Sequence, residues 1–94
     1  AKENDIFNLA VEEDLIQRKG AWFSYINENG EEVSLGQGKT NSVSYLIENP
    51  DILDYLEYTI RKKHNLIIPD YLIEKFESNS SKSKKEKNEE VQKN

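Results

Sequence analysis

The chain has 94 residues, 33% of them charged and 35% hydrophobic, with a formal net charge of −5 and no Cys or Met. One small domain with a modest core is the ceiling; disulfides and cysteine-ligated metal are excluded, and with His64 as the single histidine any zinc site would rest on carboxylates. No run approaches the roughly 18 apolar residues of a membrane span, no charged-then-apolar leader opens the chain, and the missing Met beside a helical start suggests a piece of a longer protein.

Ile6, Phe7, Leu9, Ala10, Val11, Leu15 and Ile16 recur at helical spacing behind Asn4 or Asp5, which predicts a first helix over residues 5–17. Arg18 and Lys19 then fall where a helix C-terminus favours cations, and Gly20 supplies the stop. Residues 21–26 and 31–35 are strand-like, and the Asn29-Gly30 pair between them favours the positive φ of a hairpin turn, so an antiparallel hairpin is expected. Alternation places Trp22 and Ser24 on one face and Phe23 and Tyr25 on the other; the bulk of the Trp22 indole points to a core position. The glycine-rich residues 36–40 predict a short third strand that carries Lys39.

Val43, Leu46 and Ile47 fit a short helix that ends near Asn49, because the residue before Pro50 disfavours helical geometry. Asn49 and Pro50 then read as N-cap and first residue of the next helix. Its apolar stripe is Ile52, Leu53, Leu56 and Ile60, with Asp51 and Asp54 early and Arg61, Lys62 and Lys63 late. Residues 66–69 read as an extended link and 70–76 as a short final helix. Residues 78–94 hold five Lys, three Glu and one apolar side chain, Val91, and are expected to be a disordered tail of net charge +2, which leaves about −7 on the folded residues 1–77. The expected class is α+β in two layers: a helix, a three-stranded antiparallel sheet and two helices.

An acidic body excludes nucleic-acid binding by bulk charge and leaves only a local basic patch. Arg18, Lys19 and Lys39 are the candidate set, since a third strand beside the first would bring them to one sheet edge for sequence-independent phosphate contact. The simpler alternative is that Arg18 and Lys19 complement a helix end and Lys39 is solvated. Arg61-Lys62-Lys63 has the same simple explanation. Gly38-Lys39-Thr40 resembles the end of a phosphate-binding loop, but the required first glycine is replaced by Val33. Glu12-Glu13-Asp14 and Glu31-Glu32 read as solvated charge, and His64 lacks the nucleophile and orienting partner that catalysis needs. No catalytic residue and no metal ligand is therefore assigned.

Leu9-Ala10-Val11, the run from Gly20 to Tyr25, Gly36-Gln37-Gly38-Lys39, Asn41 and Glu48-Asn49-Pro50 together resemble the C-terminal domain of bacterial RecA recombinases, over about residues 5–64. That resemblance implies the same α+β fold and a non-catalytic lobe that captures duplex DNA for a filament whose separate core binds ATP and magnesium. It further implies homologous recombination, repair of DNA damage, the SOS response and a cytoplasmic, membrane-free setting, with duplex DNA and the rest of the recombinase filament as partners. The family's duplex-binding lysines fall on Arg18 and Lys39, with Lys19 beside them. The chain departs from the family in its acidic residues 12–14, in a longer hairpin bearing Glu28, Glu31 and Glu32, and in a lysine-rich tail. A lobe that docks on the recombinase core or on regulators is the alternative function.

Overall fold

The structure is a computed structural model that describes residues 1–78, so all but the first residue of the expected disordered tail lies outside it. The chain divides into two units at Ile60/Arg61. In the first, helix α1 (Lys2–Glu12) leads into strands β1 (Ile16–Lys19), β2 (Trp22–Ile26) and β3 (Glu32–Gln37), then helices α2 (Gly38–Glu48) and α3 (Pro50–Lys63). The last turn of α3, helix α4 (Asp70–Ile73) and a π-helical turn at Glu74–Ser78 belong to the second unit. The sheet is wholly antiparallel in the order β1-β2-β3. The α+β class, with one three-stranded antiparallel sheet, is as the sequence predicts.

Two elements differ from expectation. Helix α1 begins at Lys2 and stops at Glu12, five residues short of the predicted end. Asp14 adopts φ 63, its N–H donates to the Val11 carbonyl at 3.1 Å and the Leu15 N–H donates to the Ala10 carbonyl at 2.8 Å. This is the paired bonding of a Schellman stop, with Asp14 in the left-handed place usually taken by glycine. Leu15 and Ile16 fit the helical period but lie beyond that stop, so Ile16–Lys19 is free to pair as a strand.

The third strand is therefore β1, not the glycine-rich segment. Lys19 pairs with Trp22 across the two-residue turn Gly20-Ala21, where Gly20 at φ 63 suits the first central position of a tight hairpin turn. Gly36 and Gln37 finish β3, and Gly38-Lys39-Thr40 opens α2. The second hairpin turns as predicted: the Gly30 N–H donates to the Asn27 carbonyl, and Asn27 Oδ1 accepts the N–H groups of Asn29 and Glu31, each at 2.9 Å.

Phe23 pairs with Gly36 but Ser24 with Ser34, so Leu35 is an extra residue, a bulge that carries its side chain into the core. The core of the first unit joins Ile6, Phe7 and Ala10 of α1, Ile16, Tyr25 and Leu35 of the sheet, Val43 and Leu46 of α2, and Leu53, Leu56 and Ile60 of α3. Phe23 packs edge-on against Phe7, with ring centroids 5.1 Å apart. Trp22 is 51% exposed, contrary to its expected burial. The helices cover the Phe23/Tyr25 face of β2, and strict alternation sends Trp22 and Ile26 to the opposite, open face.

Candidate nucleic-acid interface

The Gly20-Ala21 turn gathers two of the three candidate cations. Arg18 Nε–H donates to the Gly20 carbonyl at 2.9 Å, which holds the guanidinium at the turn. The Gly38 N–H donates to the Ala21 carbonyl at 2.7 Å, which ties the start of α2 to the same place. Lys39, the second residue of that helix, is exposed. Its first turn holds no acidic residue, and Gln37 ahead of it gives no side-chain cap. The positive end of the helix dipole thus lies at the turn that holds Arg18, with Lys39 in the first turn of the helix. This favours negative charge there, although the Gly38 N–H itself is taken by the Ala21 carbonyl. The buried Ser42 Oγ–H bonds the Gly38 carbonyl at 2.8 Å within α2 and also lies 3.3 Å from the Gly36 carbonyl, which ties the helix to the end of β3.

Lys19 takes a different position. Arg18 pairs with Phe23 and Lys19 with Trp22, so the two cations leave opposite faces of β1. On the open face, Lys19 Nζ lies 2.9 Å from Glu32 Oε2, which also accepts the Ser24 hydroxyl at 2.8 Å. The hydrogen bond from Lys19, then that from Ser24, then the lysine charge hold the Glu32 carboxyl below the usual carboxylate range. Trp22, Ser34 and Phe23 complete a cleft of about 250 Å³ around this trio. The sequence reads Glu32 as solvated charge on the hairpin, whereas its direct engagement of Lys19 and Ser24 depends on the β1-β2-β3 register.

The remaining candidates are local. In the second unit, Arg61 Nη1 donates to the Ile67 carbonyl at 2.9 Å and Lys62 lies 3.2 Å from Glu77. These cations close α3, whose chain reverses at Asn65, φ 56, and His64 beside them is exposed. A second cleft of the first unit, about 320 Å³, is lined by Tyr25, Asn27, Glu28, Asn29, Asp51, Ile52 and Tyr55. Two carboxylates make it a poor seat for phosphate. Burial first, then the neighbouring Tyr55, Tyr45 and Glu28, push the Tyr25 hydroxyl up. Among the described residues no His/Asp/Glu cluster has the makings of a metal site, and no helix is long and apolar enough to cross a membrane.

The sequence model of the RecA C-terminal domain matches residues 4–65, from the first turn of α1 to the stop after α3. The chain belongs to the RecA C-terminal domain family. Protein RecA of Petrotoga mobilis is 89% identical over 93 residues, which are 99% of this chain and 25% of that protein. Protein RecA of Thermotoga petrophila is 45% identical over 80 residues, 85% of this chain and 22% of that protein. Protein RecA of Clostridium botulinum (strain Alaska E43) is 41% identical over 73 residues, 78% of this chain and 19% of that protein. The chain thus spans a quarter or less of the RecA proteins it matches.

Proposed function

We propose that this RecA C-terminal domain captures duplex DNA for a bacterial recombinase, in homologous recombination and DNA repair, by contacting backbone phosphate without reading sequence. Arg18 and Lys39 are the principal contacts and Lys19 a subsidiary one. The supporting observation is the shared anchoring of Arg18 and the α2 start on the Gly20-Ala21 turn, at a helix N-terminus without acid. Such contacts are electrostatic and release counterions on binding. With two phosphates neutralised, log affinity falls against log salt with a slope near −1.8, and all three cations would steepen it to about −2.7.

The lobe is non-catalytic in this proposal, and its partners are duplex DNA and the rest of the recombinase filament in the cytoplasm. ATP and magnesium belong to that remainder. Gly38-Lys39-Thr40 does not suit a nucleotide, because it follows an antiparallel strand and Val33 stands in place of the first loop glycine. The exposed Trp22 and Ile26 on the open sheet face favour a second reading, a lobe that docks on another protein surface. Charge reversal separates the two. R18E/K39E abolishes duplex binding by the domain and lowers duplex uptake by the full recombinase filament if phosphate contact is its role; normal uptake by a filament carrying R18E/K39E supports docking instead.

A further inference from the structure

The trio on the open sheet face has the chemistry of an anion site already filled. We propose that Lys19 Nζ and Ser24 Oγ form a phosphate-binding site that Glu32 occupies as an internal stand-in, so that duplex phosphate must displace the carboxylate to recruit Lys19. The inference rests on the duplex-capture reading and adds Ser24 and Glu32 to it.

One carboxylate oxygen accepts both donors, at 2.9 Å from Lys19 and 2.8 Å from Ser24, as a phosphate oxygen does. Ser24 is 7% exposed, so its hydroxyl needs a partner, and the bond it makes turns toward this face. The charged side chains are by contrast open to water, 68% exposed for Lys19 and 46% for Glu32. An ion pair of that kind is weak and readily screened, so a competing anion can exchange with it. Glu32 is the first residue of β3, beside the turn that joins it to β2. The residues in register with Ser24 are Gln17 and Ser34, neither of which brings a charge that would repel an incoming phosphate. Trp22, the only tryptophan, lines the same cleft and reports on its occupancy.

The test uses the 94-residue chain with two probes, a short blunt duplex and inorganic phosphate, followed by NMR and Trp22 fluorescence. In E32Q the amide oxygen still accepts the Ser24 hydroxyl, so the sheet is retained while the competitor's charge is gone. The expected result is tighter duplex binding with a salt slope steeper by about 0.9, an advantage that widens roughly threefold between about 200 and 50 mM salt. Inorganic phosphate then shifts the Ser24 and Lys19 signals in E32Q, and the Ser24 shift is lost in K19Q/E32Q. E28Q removes an equal charge from outside the cleft and leaves the slope unchanged. An E28Q effect equal to that of E32Q, or no phosphate shift at Ser24 in E32Q, overturns the proposal. If R18E/K39E abolishes duplex uptake while E32Q leaves the slope unchanged, this inference falls and duplex capture stands. If no variant binds duplex while phosphate still shifts Ser24 and Lys19 in E32Q, the anion site stands and the duplex reading falls.

Discussion

Trp22 and Phe23 are adjacent aromatics with opposite fates, and the difference is one of strand face. Phe23 meets Phe7 edge-on at 5.1 Å and packs against the core, whereas Trp22 is 51% exposed on the open side of the sheet. Burial sets the cost of truncation, so W22A is expected to change unfolding free energy by less than about 0.5 kcal/mol and F23A to lower it by roughly 2–3 kcal/mol. Urea denaturation of the two variants checks this. A larger loss for W22A would mean that the indole is buried after all. Residue type alone does not decide between them; the period-2 alternation separates the two faces, but which face the helices cover depends on where α1 ends.

At the scale of elements, helix α1 and strand β1 explain both what was legible in the sequence and what was not. The α3 stripe of Leu53, Leu56 and Ile60, the Asn27–Gly30 turn and the Pro50 helix start carry unambiguous local signals, and the structure matches them. The residues from Leu15 to Lys19 do not. Their apolar positions satisfy helix and strand alike, and the deciding feature is a left-handed Asp14, a conformation that residue type only weakly announces. Asp14→Gly removes the steric cost of that conformation and is predicted to raise stability by roughly 0.5–1 kcal/mol, measured as a shift in thermal or urea unfolding. A decrease would place the helix stop elsewhere.

The β1-β2-β3 register also sets a pH dependence. The Glu32 carboxyl is lowered in the folded chain by Lys19 and Ser24, so its contribution is complete above the ordinary carboxylate range and is lost as pH falls through the folded value. Side-chain carboxyl NMR is expected to find Glu32 titrating below the usual range in the wild-type chain and moving back up in K19Q. An unchanged Glu32 titration in K19Q would remove Lys19 as the chief cause.

For the whole molecule, the net charge of −5 opposes nucleic-acid binding by bulk attraction, so phosphate contact has to rest on local basic groups. In the first unit the cleft at Glu28 and Asp51 is acidic, and the approach proposed for phosphate is the Gly20-Ala21 turn, with Arg18, Lys39 and the start of α2. The sequence reveals the three candidate cations but not their arrangement. It places Arg18 and Lys19 side by side at a helix end, whereas strand alternation sends them to opposite faces, and it reads as a strand the helix start that presents Lys39. The first follows from the left-handed stop at Asp14 and the tight β1-β2 hairpin, and the second is accompanied by the Gly38–Ala21 hydrogen bond between residues far apart along the chain, neither of which residue type announces. The most direct test of duplex capture is a residue-by-residue NMR titration with a short duplex at about 50 and 200 mM salt. The account predicts shifts centred on Arg18, Gly20, Ala21, Gly38, Lys39 and Thr40 that weaken with salt at a slope near −1.8. Shifts confined to other surfaces, or none at the lower salt, would contradict it.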